Sequence, residues 1–142
     1  MALEIREVFS DEEISSTYAV MRQLRTHLIE DEYLEKVECM RRSGYRVAAV
    51  LDGGRVTCVA GFRIQEYLYC GKHLYVDDLI TDGSTRLQGH GKRMLDWLTG
   101  EARKADCVQL HLDSGVQRPE AHRFYFREGL IISAYHFRKD LQ

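Results

Sequence analysis

The stretch Leu74 to Leu98 limits what this chain can fold into more than any other. It opens as an extended apolar run, Leu74-Tyr75-Val76-Asp77-Asp78-Leu79-Ile80-Thr81. A turn follows, and Arg86-Leu87-Gln88-Gly89-His90-Gly91-Lys92 then leads into a helical pattern. A strand that feeds a glycine-bearing turn and a helix gathers backbone N–H groups around one point, with the positive end of the helix dipole behind them. Such a point accepts a phosphate or pyrophosphate. Gly89 and Gly91 keep side chains out of the approach because they have no Cβ. Arg86, Lys92 or Arg93 adds positive charge. Asp77 and Asp78 lie on the strand that feeds this cradle, and in regular alternation they point to opposite faces, so only one serves a given side.

The rest of the chain reads as alternating β and α segments. Leu3 to Phe9 is a first strand, and Ser10-Asp11-Glu12-Glu13 fits a capping box that starts a helix to about Arg25. A second helix spans about Asp31 to Arg42 and ends at Ser43-Gly44. Tyr45 to Leu51 and Val56 to Tyr67 are strands joined by Asp52-Gly53-Gly54-Arg55, a hairpin signal. The strand Leu74 to Thr81 is the third in this antiparallel set. The helix after the cradle carries Gly91, Met94, Leu95, Leu98 and Ala102 on one face and runs to about Ala105. Val108 to Asp113 returns as a strand parallel to Leu74–Thr81 through a right-handed crossover. Pro119 starts a last helix to about Glu128, and Ile131 to Lys139 is expected as a final β segment that a homodimer can use for pairing. The expected fold is α/β: a mixed, mostly antiparallel central sheet with helices on both faces, ordered β-α-α-β-β-β-α-β-α-β. The chain of 142 residues fits one domain, 1–142.

Composition excludes several classes. A formal net charge of −2 offers no basic footprint for nucleic acid. No apolar run approaches the roughly 20 residues of a membrane-spanning helix. Cys39, Cys58, Cys70 and Cys107 form no C-x-x-C pair, and no leader sequence is evident, so reduced thiols in a cytoplasmic protein are expected. The histidines show no H-E-x-x-H or related spacing, so no metal site is expected.

Neither a G-x-G-x-x-G fingerprint nor a Walker-type loop is present. What stands after Asp77-Asp78-Leu79-Ile80-Thr81-Asp82 is Arg86-x-x-Gly89-x-Gly91. This arrangement resembles the cofactor motif of the GNAT superfamily of acyl-CoA-dependent N-acetyltransferases, [Gln/Arg]-x-x-Gly-x-[Gly/Ala], a few residues after the fourth strand. A second segment, Ala121-His122-Arg123-Phe124-Tyr125-Phe126-Arg127-Glu128-Gly129-Leu130, is similar to that family's Ala-x-x-Phe-Tyr-x-x-x-Gly-Phe. Leu130 stands where phenylalanine is common, and Arg118 where many members have an asparagine that holds the pantetheine arm. The resemblance implies acetyl-CoA as acyl donor and an amine as acceptor. It further implies that Leu79, Ile80 and Thr81 bind pantetheine edge-on and that Arg86, Leu87, Gln88, Gly89, His90, Gly91 and Lys92 hold the pyrophosphate. Tyr125 is then the general acid toward the CoA thiolate, and a carboxylate on the Leu74 strand takes the proton of the amine. Members of that family often have a bulge in this strand, which would break the alternation, and the family's acidic position favours Asp77 over Asp78.

His90 is expected to contribute backbone rather than imidazole, and His111, alternating with Leu110 and Leu112, to be a structural histidine. Tyr67, Tyr69, Cys70 and His73 surround the turn before the strand, either shaping an acceptor pocket or forming a small surface cluster. The loop Thr26 to Glu30 is expected to shape the acceptor site, with the Glu30-Asp31-Glu32 run favouring a cationic amine or merely marking a helix N-terminus. Three readings fit: an N-acetyltransferase working by direct transfer in a ternary complex, a non-catalytic CoA-binding sensor or partner-binding domain of the same fold, and, more distantly, a nucleotide-phosphate module unrelated to CoA.

Overall fold

The computed structural model describes residues 3–142. The chain forms two compact units, one ending at His111 and one from Leu112 to Gln142. The first is built around a sheet of β1 (Leu3–Glu7), β2 (Arg46–Asp52), β3 (Arg55–Tyr67), β4 (Gly71–Thr81) and β5 (Gln109–Leu112), in that spatial order. Its helices are α1 (Asp11–Ser16), α2 (Tyr18–Leu24), α3 (Glu30–Arg41) and α4 (His90–Lys104). The β1 to β4 ladders are antiparallel. β5 follows β4 through α4 and neighbours it, the helical crossover that joins parallel strands, so the sheet is mixed.

Local chemistry accounts for most boundaries. Ser10 caps α1 with its side chain on the Glu13 N–H, and Glu13 reaches back to the Ser10 N–H, completing the capping box. The expected single helix to Arg25 divides at Thr17. There the buried hydroxyl donates to the Ile14 carbonyl at 2.6 Å and lies 2.7 Å from the Tyr33 hydroxyl. Such back-bonding competes with the helix ladder and bends it. Gly53 and Gly54 both have positive φ, at 59° and 84°, and Asp52 faces Arg55, the two-residue hairpin that sequence indicates.

β2 is buried along Val47 to Leu51, because helices cover both sheet faces of this unit. On one face Val47, Ala49, Val59 and Ile80 pack with Ile14, Val20, Met21, Tyr33 and Val37 of α1 to α3. On the other, α4 buries Met94, Leu95 and Leu98, and Trp97 meets Phe62 edge-on at 5.9 Å. Among the described residues no helix is long and apolar enough to cross a membrane.

The second unit carries α5 (Pro119–Arg127), with Pro119 in its first turn and Gly129 at φ 88° beyond its end. The element order therefore ends on α5, and the expected strand over Ile131 to Lys139 is not formed. Ile131, Ile132, Tyr135 and Phe137 are exposed. Strand preference is largely a preference for packing on neighbours, and these side chains bury against none.

Candidate functional site

The acidic pair and the cradle are set in place by two irregularities in β3 and β4. Opposite β4, Gly61 pairs with Asp78 and Phe62 with Val76, so Asp77 is an extra residue in a β-bulge. Simple alternation, which separates Asp77 from Asp78, is thereby broken. Both carboxylates belong to one network centred on Tyr45. Asp78 Oδ2 accepts from the Tyr45 hydroxyl at 2.6 Å, and its Oδ1 accepts from Arg25 Nε at 2.8 Å. Asp77 accepts from Arg63 Nε and, at 2.7 Å, from Nη2, while the Arg63 guanidinium lies over the Tyr45 ring, 5.4 Å from its centre. Arg25 Nη2 also donates to the Asp77 carbonyl at 2.9 Å. Burial pushes the Tyr45 phenol far up, and the Asp78 charge adds to this, so Tyr45 remains a donor.

Gly61 makes the network sterically feasible. A Cβ there would overlap the Tyr45 hydroxyl and ring carbon and come within 2.6 Å of Asp78 Oδ2. Glycine is required at this place for the space it leaves open.

The second irregularity leaves Thr57 extra in β3, since Val50 faces Cys58 and Leu51 faces Val56. Thr57 anchors the cradle at two points. Its carbonyl accepts from the Asp82 N–H at 2.8 Å, and its hydroxyl lies 2.8 Å from His90 Nδ1. The His90 imidazole is thus buried and occupied. The tight turn Gly83–Thr85 is held from outside: Gln23 Nε2 and Arg55 Nη1 donate to the Asp82 carboxylate, and the Gly83 N–H donates to Gln23 Oε1 at 2.9 Å. Hydrogen bonds from Gln23 and Ser84 hold the Asp82 pKa down at about 2.

Beyond that turn the backbone alternates. Leu87 sits at φ 70° and Gly89 at φ 83°, both left-handed, and Arg86 to Gly89 are exposed. Left-handed residues in a turn of this kind can aim successive N–H groups at one concavity, as in an anion nest. α4 starts directly behind it with Gly89 as N-cap and no side chain capping it, so first-turn N–H groups remain for an external acceptor. A leucine held left-handed is costly by about 1–2 kcal/mol, the kind of local strain that collects at ligand sites.

Strand lengths bear on the edge of β4. Val108 N–H donates to the Lys72 carbonyl at 2.8 Å, so β5 starts level with the beginning of β4. Its 4 residues cannot also run beside Asp77 to Thr81 at the far end of an 11-residue strand. Leu79, Ile80 and Thr81 pair with Ala60, Val59 and Cys58 on the β3 side, and β5 leaves their other edge uncovered.

The remaining expectations divide. Glu30, Asp31 and Glu32 form the first turn of α3, so their spacing reflects helix-dipole chemistry. Tyr67, Tyr69, Cys70 and His73 do cluster, and His111 joins them, its ring 4.5 Å from that of His73. Tyr125 lies half-buried on α5 in the second unit, its ring 5.4 Å from that of Phe124. Sequence reasoning missed Arg25, Tyr45, Thr57, Gly61 and Arg63. Only the isolated glycine inside a strand pattern, a sign of close backbone approach, offered a signal.

The left-handed turn before α4 and the carboxylate network on β4 lie in the same α/β unit. Residues 5–129 match the acetyltransferase (GNAT) family, and the chain belongs to that family. It is 34% identical over 139 residues to the uncharacterized N-acetyltransferase YhdJ of Bacillus subtilis, covering 96% of this chain and 98% of that protein. An aminoalkylphosphonate N-acetyltransferase of Salmonella typhimurium is 33% identical over 98 residues, 68% of this chain and 62% of the relative. The crystal structure of the aminoglycoside N-acetyltransferase AAC(6')-Iy in complex with CoA superposes with a TM-score of 0.85 at 13% identity, covering 99% of this chain and 96% of that one.

Proposed function

We propose that this acetyltransferase moves an acetyl group from acetyl-CoA to a primary amine by direct attack in a ternary complex. The observation that carries the reading is the uncapped N-terminus of α4 behind left-handed Leu87 and Gly89. The residues fit the donor: Leu87 to Lys92 present amides to a diphosphate, and exposed Arg86 lies beside them. The uncovered edge at Leu79 to Thr81 suits pantetheine, which hydrogen-bonds like an added strand. An N–H near Leu79 then polarises the thioester carbonyl. The CoA-bound aminoglycoside enzyme and the aminoalkylphosphonate enzyme both support a small amine as acceptor.

In the reaction the amine nitrogen forms a bond to the thioester carbonyl carbon, and the carbon–sulfur bond breaks. Asp77, in the bulge and 21% exposed, takes the amine proton, directly or through water. Asp78 is 12% exposed and fixed by Tyr45 and Arg25, which suits it to positioning the strand. The family resemblance gives Tyr125 the role of returning a proton to the leaving CoA thiolate. Cys58, opposite Thr81, does not act as an acyl carrier: burial pushes its thiol up to about 12, so it stays protonated.

The test is release of free CoA thiol from acetyl-CoA across a panel of primary amines. Asp77→Asn lowers kcat about 100-fold or more with CoA affinity retained, and Asp78→Asn acts chiefly through stability. A non-catalytic CoA-binding domain is the second reading, favoured by the arginine partner on each carboxylate. It gains the ground if acetyl-CoA binds and no amine stimulates thiol release.

A further inference from the structure

Far from the acidic pair, at the opposite end of β4, Cys70, His73 and His111 each offer a ligand atom within 4.8 Å of the other two. Cys70 lies in the β3–β4 turn, His73 on β4 and His111 on β5. The acetyl-transfer reading uses none of them. Their proximity is invisible in the spacing of the sequence, because β5 reaches β4 only through the α4 crossover.

The hydrogen bonds around the two rings set their tautomers. His73 Nδ1 is 3.0 Å from the Gly71 carbonyl, and a carbonyl only accepts, so Nδ1 carries the proton. The Nε2 lone pair of His73 is fully buried and has no hydrogen-bond partner among the described residues. This is the arrangement of a metal-binding imidazole, one nitrogen tied to a backbone carbonyl and the other presented. His111 Nε2 lies 2.6 Å from Gln109 Oε1, an acceptor, which puts its own lone pair on Nδ1. Cys70 Sγ is 3.6 Å from His73 Nδ1, the protonated nitrogen, so the thiol must move toward the Nε2 side to share an ion with it. Gln65 pairs directly with His73 across the strands, and its Oε1 is a second buried polar atom without a partner. Cross-strand partners share a face. Two orphaned polar atoms on adjacent positions call for a polar occupant.

We propose that Cys70, His73 and His111 form a binding site for a zinc-class divalent ion that pins the β3–β4 turn to the edge strand β5. One thiolate and two imidazoles are a borderline-soft set, which suits zinc and disfavours magnesium or calcium. Water fills the fourth position. Zinc bonds of about 2.0 Å to nitrogen and 2.3 Å to sulfur hold the ligand atoms roughly 3.5 Å apart. The present separations, up to 4.8 Å, have to close by side-chain rotation when the ion binds. Binding forms a zinc–sulfur bond and releases the Cys70 thiol proton to solvent. The site is structural, and the proposal is independent of the acetyl-transfer assignment.

The test uses the full chain without a histidine tag, titrated with cobalt(II) as a spectroscopic stand-in. One equivalent gives a thiolate-to-cobalt charge-transfer band that zinc abolishes, and zinc raises the melting temperature. Cys70→Ser removes the band, and Cys70→Ser and His111→Asn each weaken zinc binding at least about tenfold in competition with a chromophoric chelator. Cys107→Ser leaves binding unchanged. X-ray absorption of the zinc-loaded wild-type chain, which depends on no variant folding, shows one sulfur in the first shell. Failure to bind one equivalent, a band that survives Cys70→Ser, or a shell without sulfur overturns the proposal.

Discussion

Replacing Gly61 by alanine adds one methyl group and should disable the carboxylate network. The new Cβ overlaps the Tyr45 hydroxyl and reaches within 2.6 Å of Asp78 Oδ2, so tyrosine or strand must move. Forcing a methyl into a packed site costs about 1–3 kcal/mol. Displacing the phenol also removes its 2.6 Å bond to the Asp78 carboxylate, worth about 1.5–3 kcal/mol for a charged acceptor. Together these give a loss of about 2.5–6 kcal/mol, against a total stability of about 5–15 kcal/mol. Tyr45→Phe removes only the hydrogen bond and should cost about 1.5–3 kcal/mol. In the double variant that bond is lost once instead of twice, so the two effects fall short of adding by about 1.5 kcal/mol or more. Equilibrium urea unfolding of the four proteins measures every term. A Gly61→Ala loss under about 1 kcal/mol, or additivity within about 0.5 kcal/mol, refutes the reasoning.

Two further predictions come from titrating groups. The pairing with Arg6, helped by the backbone N–H groups of Phe9 and Ser10, holds the Glu13 pKa at about 2 instead of 4.5. Its folded pKa is depressed, so the stability it contributes is present above about pH 4.5 and is lost as pH falls through about 2. Glu13→Gln keeps the capping geometry and should flatten the pH dependence of the melting temperature between about pH 5 and 2; an unchanged slope contradicts this. Exposed Cys39 should react with iodoacetamide at neutral pH while Cys58, pushed to about 12, stays unmodified until the chain unfolds, as peptide mass spectrometry will show.

What could be read from the chain alone was whatever neighbouring residues settle among themselves. Ser10 and Glu13 cap α1, Gly53-Gly54 fixes its hairpin, and Gly44 follows α3 at a left-handed φ of 101°, each within a few residues. The carboxylate network was not legible, because its partners come from distant strands and helices. Arg25 is 53 positions from Asp78, and Tyr45 is 33. The bulge at Asp77 was to be expected only from the family resemblance, because it is a property of how β4 meets β3 and no residue of β4 announces it. The division of the first helix at Thr17 likewise depends on Tyr33, from another helix. The expected last strand failed for the converse reason. Ile131 to Lys139 has the composition of a strand, but composition supplies no ladder to join.

The central claim is that main-chain amides at the start of α4 grip the diphosphate of CoA and aim its thioester along β4. Amide chemical-shift mapping of the nitrogen-15-labelled chain during titration with CoA tests it directly. The largest shifts are predicted at Leu79 to Thr81 and Leu87 to Lys92. Gly89→Ala, which meets no neighbour within 4 Å but strains a φ of 83°, should weaken binding while the fold persists. Saturable shifts centred elsewhere, or none with CoA in large excess, contradict the account.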